Sequence, residues 1–180
     1  ITLAGGKTVV VDTYPDFRID LAKVKAAITP RTKAIIVNSP GNPTGAVYSR
    51  SLVKEVAALA LKHDFWIVSD EIYERLVYGE QAISPASLGK EVAERTITVN
   101  GVSKTYAMTG WRVGWMIGPD DVMKAAINFQ SHSTSNVSNV AQIAALAAVS
   151  GDLEAVKMMR NAFERRGRTM HKMLTDIPGV

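Results

Sequence analysis

Cysteine is absent from the chain. Its absence excludes a disulfide frame and a thiolate metal site, and it fits a cytosolic protein. Long apolar runs are also absent, and none could cross a bilayer as a helix. Charge of one sign is nearly balanced by the other: 21 Lys and Arg against 17 Asp and Glu give a net +4. No dense basic block is interleaved with aromatic residues, so a nucleic-acid surface is not expected. Internal repeats and low-complexity stretches are missing too. What remains is an ordinary globular balance, 47% apolar and 21% charged over 180 residues. That length carries one domain with a sizeable core.

Three apolar runs read as buried parallel strands, each followed by a loop rich in small or polar residues. The first is Ala34-Ile35-Ile36-Val37, leading into Asn38-Ser39-Pro40-Gly41-Asn42-Pro43-Thr44-Gly45. Two Pro and two Gly in eight residues give that loop a fixed shape. The second is Phe65-Trp66-Ile67-Val68, leading into Ser69-Asp70-Glu71-Ile72-Tyr73. The third is Thr96-Ile97-Thr98-Val99, leading into Gly101-Val102-Ser103-Lys104. Open α/β sheets bind ligands beyond the carboxyl ends of their strands. Asn42, Asp70, Tyr73, Ser103 and Lys104 all fall there. A lysine in such a loop is ordinarily solvated, and an aspartate is ordinarily a helix cap. Gly101 and Ser103 would let a ligand approach the backbone, and Arg112 offers a cationic fork suited to phosphate.

The remaining elements are read as scaffold. Lys7–Asp12 has strand character. Asp20 precedes a helical stripe of Leu21, Val24, Ala27 and Ile28, ended by Thr29-Pro30. Ser49 can cap a helix burying Leu52, Val53, Val56, Leu59 and Ala60. His63 at its end reads as a solvated cation, Glu71 as a solvated or supporting acid, and Asn38 as structural. Trp111 to Gly118 reads as a further strand, with its tryptophans in the core. A helix opens at Pro119-Asp120 and is broken by the polar run Ser131 to Asn136, where His132 is a solvated loop residue. Val140 to Val149 is an uncharged helix to be buried in the protein or at an interface. Asp152 can cap a last helix reaching about Leu174, where Glu154–Lys157 and Glu164–Arg168 spacings favour a solvated face with ion pairs.

Three motifs together resemble the class I and II aminotransferases, the fold-type-I pyridoxal-phosphate enzymes. They are Asn42-Pro43-Thr44-Gly45, Asp70-Glu71-Ile72-Tyr73, and Ser103-Lys104 followed by Gly110-Trp111-Arg112-Val113-Gly114. The resemblance covers essentially the whole chain and is strongest to the bacterial aspartate-aminotransferase-like subgroup. It implies an α/β fold, a three-layer αβα sandwich whose sheet is mostly parallel with one antiparallel strand. It implies pyridoxal 5′-phosphate as cofactor, held by Lys104 as an aldimine. Asp70 would pair with the pyridine nitrogen, Asn42 and Tyr73 would donate to the phenolic oxygen, and Arg112 would anchor the phosphate. Ser103 is a further candidate phosphate contact. Many relatives carry serine three residues before the lysine, where this chain has Gly101.

The implied reaction is transfer of an amino group between an amino acid, aspartate or similar, and a 2-oxo acid. The same motifs occur in β-lyases, decarboxylases and synthases, and in the ligand-sensing domain of aminotransferase-like transcription regulators. A cytoplasmic homodimer is implied, with no metal, nucleic acid or membrane partner. Ile1 and the ending Ile177-Pro178-Gly179-Val180 are expected to lie inside a longer chain, since family members are roughly twice as long or more. Residues 1–175 would form part of the large cofactor-binding domain and 176–180 the start of a connection to a C-terminal small domain. The substrate-carboxylate arginine, one phosphate loop and the aromatic residue stacking on the ring would then lie outside this chain.

Overall fold

The computed structural model describes residues 1–179. Four strands form one sheet in the order β1-β2-β3-β4. They are β1 (Ala34–Asn38), β2 (Trp66–Asp70), β3 (Thr96–Gly101) and β4 (Gly114–Ile117). The first three run parallel, and β4 returns antiparallel to β3. This is the mixed α/β sheet expected from the apolar runs and from the family pattern.

Period-2 alternation divides the sheet into two faces. Ile67 is fully buried and joins Val37 in a cluster with Val56, Ala57 and Ala60 of α2 (Arg50–His63). Ser69 shares the face of Ile67, whereas Val68 and Asp70 belong to the opposite face. α2 forms because its apolar residues recur at helical spacing and because Ser49 caps it, its hydroxyl accepting from Leu52 N–H. α1 (Leu21–Ala27) is capped by Asp20, whose carboxylate accepts from the Ala22 and Lys23 amides. α3 (Lys90–Ala93) leads into β3.

α4 (Asp120–Ser133), α5 (Asn139–Ser150) and α6 (Glu154–Thr175) complete the described chain. The ion pairs expected on α6 form, Lys157 with Glu154 and Arg168 with Glu164, each at 2.7 Å. Asp152 accepts from Glu154 N–H at the start of that helix. Val180, the last residue of the expected connection, lies outside the described residues.

Several local readings are corrected. Lys7–Asp12 forms no strand: among the described residues no strand pairs with it, and Val9 and Val10 stay exposed. Trp111–Gly118 is not one strand. A 3₁₀ turn covers Thr109–Trp111, Arg112 takes a left-handed conformation, and pairing starts only at Gly114. Trp111 is exposed rather than in the core. The polar run Ser131 to Asn136 does end α4, but only after Ser133, so His132 stands in the helix's last turn rather than in a loop. Within α5 only Ala141 and Ala145 are buried, while Val140, Ile143 and Leu146 are exposed.

Candidate active site

Parallel register brings three strand ends side by side. Asn38 pairs with Asp70, and Asp70 pairs with Val99, two residues before the end of β3. The three loops that follow therefore leave the same edge of the sheet, as the motif positions require. The loop after β1 carries Asn42, and that after β2 carries Tyr73. The loop after β3 carries Ser103 and Lys104 in a single turn, in which Tyr106 N–H donates to Val102 O.

These loops meet. The Asn42 Nδ2 donates to the Tyr73 hydroxyl at 3.4 Å. The Lys104 ammonium lies over the Tyr73 ring, 5.7 Å from its centre, within reach of the negative face of the π system. Asp70 uses one carboxylate oxygen to accept from Ile72 N–H at 3.2 Å, and makes no ion pair among the described residues. Arg112 donates through Nη1 to Thr109 O at 2.9 Å, and Thr109 Oγ1 donates to Ser103 O at 3.2 Å. The guanidinium is thus tied to the lysine loop through Thr109, with its remaining donors exposed.

Gly101 has a different reason from the one read in the sequence. A Cβ there would stand 2.8 Å from Val113 O and 3.1 Å from Gly114 Cα. The close approach is made by the backbone entering β4, not left open for a ligand. Of the two readings left open for Glu71, the solvated one is excluded. The residue is buried, 5% exposed, and accepts a hydrogen bond from the Ser69 hydroxyl at 2.9 Å. Burial pushes its carboxyl above the ordinary value, against the pull of Ser84 and Ser69 hydrogen bonds, while Glu74 and Asp70 push it further up.

A cleft of about 560 Å³ lies elsewhere. It is at the amino end of the sheet, lined by Asp64, Trp66, Glu91, Glu94, Arg95 and Asp121 among others, and by none of the site residues above. Within it Arg95 pairs with Asp64 and stacks over Trp66 at 5.2 Å. Among the described residues no group of His, Asp and Glu could hold a metal ion, and no helix is long and apolar enough to cross a membrane.

The sequence profile described as aminotransferase class I and II matches residues 1–180. This chain belongs to that family. The chain is 55% identical to an aspartate aminotransferase of Streptomyces avermitilis, over 100% of its own length and 45% of that protein's. It is 46% identical to an aspartate aminotransferase of Bacillus subtilis, over 99% of its length and 46% of the relative's. Its fold superposes on a Thermus thermophilus aspartate aminotransferase double mutant with a TM-score of 0.90 at 44% identity, covering 97% of this chain and 46% of that one. The chain therefore spans about half the length of the curated relatives it matches.

Two residues of this chain are not evident from the sequence as parts of the site. Thr109 has no signal there beyond lying between Lys104 and Arg112. Asn38 reads as structural, and the structure gives that word content. Its side chain donates to Asp70 O at 3.2 Å and accepts from Asn42 N–H at 3.1 Å.

Proposed function

We propose that this chain is most of the large, cofactor-holding domain of a pyridoxal-phosphate-dependent aminotransferase. Residues 1–175 are that domain portion, and 176–180 begin the connection to a small domain. The reaction moves an amino group between aspartate, or a similar amino acid, and a 2-oxo acid. The observation that carries the reading is the meeting of Lys104, Tyr73 and Asn42 at the carboxyl edge of β1 and β2 and just beyond that of β3. The names of its relatives favour amino-group transfer over the lyase, decarboxylase, synthase and sensor alternatives.

The donor set fits pyridoxal 5′-phosphate. Arg112 and the Ser103 hydroxyl suit a phosphate. Asn42 Nδ2 and the Tyr73 hydroxyl, hydrogen-bonded to each other, form one donor pair suited to a phenolic oxygen. Asp70, which makes no ion pair among the described residues, suits a protonated ring nitrogen. When bound, the cofactor supplies an aldehyde carbon that captures amines and a pyridinium ring that accepts electron density.

The protein's own residues do the rest. Lys104 Nζ would hold the cofactor and, as a free amine, would take up the substrate's α-proton and deliver it to the aldehyde carbon. Tyr73 orients the Lys104 amine by offering its ring face. Asp70 keeps the proton on the ring nitrogen. Arg112, braced by Thr109, fixes the phosphate end so that the reacting carbon stays in register with Lys104. The same reading carries a homodimer in the cytoplasm. Exposure of Val140, Ile143 and Leu146 on α5 supports further protein over that face.

The test is amino-group exchange by the full-length polypeptide. With added cofactor, aspartate should be converted to its 2-oxo acid at the expense of the 2-oxo acid of glutamate. Release of ammonia or carbon dioxide without amino-group exchange would contradict the proposal.

A further inference from the structure

We propose that Asn38 is a positioning residue of this site, holding Asn42 in the place where it acts; the inference rests on the reading of the site just given. Asn38 is the last residue of β1 and lies in register with Asp70, the last residue of β2. Its amide nitrogen donates to Asp70 O, and its amide oxygen accepts from Asn42 N–H. A backbone carbonyl can only accept and a backbone N–H can only donate, so the two partners fix which way round the amide sits. One side chain thereby joins the strand end that carries Asp70 to the loop that carries Asn42.

The loop's other backbone bonds are internal to it. Gly41 N–H donates to Ala46 O, and Gly45 N–H donates to Gly41 O. They shape the loop without setting where it stands over the sheet. Asn42 itself is exposed, so packing does not hold it either. Among the described residues, Asn38 is the side chain that bonds both to β2 and to Asn42. From Asn42 the contacts continue to Tyr73 and from Tyr73 to Lys104. Loss of Asn38 leaves each of those groups present and removes the bond that sets Asn42 against them.

A residue that only closes a strand end would lower stability and nothing else. A positioning residue acts through Asn42, and its effect must vanish when the Asn42 side chain is gone. The experiment is equilibrium binding of pyridoxal 5′-phosphate to the full-length apoprotein, followed by absorbance. The four proteins are wild type, Asn38→Ala, Asn42→Ala and the double variant. Apoprotein melting temperatures ensure that all are compared while folded. Asn38→Ala should weaken binding about tenfold, the scale of one net hydrogen bond. The double variant should bind within about twofold of Asn42→Ala. If Asn38→Ala does not fold, the isosteric Asn38→Asp, which keeps the acceptor and loses the donor, repeats the comparison. Unchanged binding in the single variant, or losses that multiply in the double, overturns the inference. Wild-type apoprotein that takes up no cofactor overturns the reading of the site, and the inference with it.

Discussion

The Lys104 ammonium and the Tyr73 ring, on loops that follow different strands, stand 5.7 Å apart at one edge of the sheet. Neither strand could place its residue there alone. The parallel pairing of β2 with β3 sets the two loops side by side, and Asn42 then reaches the Tyr73 hydroxyl from β1. The site is a product of register.

Asp70 separates binding from catalysis. Its backbone ends β2, and among the described residues its carboxylate makes one short-range bond, to Ile72 N–H. In the full-length protein Asp70→Ala should still capture the cofactor on Lys104, because that bond does not need the carboxylate. Amino-group transfer should fall about a thousandfold, the loss typical of one preorganised electrostatic group. Asp70→Glu should recover part of it. Single-turnover decay of the cofactor's absorbance after adding amino acid is the check, and a near wild-type rate would reduce Asp70 to a turn-capping residue.

Glu71 predicts a pH dependence of stability. Its carboxyl is raised in the folded state, chiefly by burial, from an ordinary value of 4.5. Folding therefore favours the protonated form. That contribution is fully present below the ordinary value and is lost as pH rises through the raised one. Glu71→Gln keeps an oxygen to accept from Ser69 and cannot ionise. Urea midpoints measured from below 4.5 up to neutrality should fall less steeply for the glutamine variant than for wild type. Parallel profiles would show that the carboxyl does not titrate in that window.

Gly101 predicts a steric penalty. A Cβ added at this position would meet Val113 O at 2.8 Å, and a backbone oxygen cannot swing aside as a side chain can. Gly101→Ala and Gly101→Ser should each cost about 1–3 kcal/mol, the usual range for overpacking. The denaturant midpoint reads this directly. An unchanged midpoint would mean that β4 gives way freely.

Much of this is legible in the chain itself. Asp20 and Ser49 announce their helices because capping is a local property of a short polar side chain before an apolar stripe. Strand ends follow from uninterrupted β-branched runs. Lys7–Asp12 shows the limit: strand character without a neighbouring edge gives no strand, and the neighbour is a tertiary fact. Sequence leaves Glu71 open between a solvated and a supporting acid, because its burial depends on Ser69 and on the segment around Ser84, not on its place beside Asp70. Asn38 is legible as structural, but its bond to Asp70 spans two strands, and no local pattern encodes that.

Lys104 as the carrier of the cofactor is the claim on which every other role depends. Borohydride reduction of the full-length protein loaded with pyridoxal 5′-phosphate, followed by peptide mapping, tests it most directly. The account predicts the reduced adduct on the peptide containing Lys104, with the visible absorbance band lost on reduction. An adduct on any other lysine, with Lys104 unmodified, would contradict it.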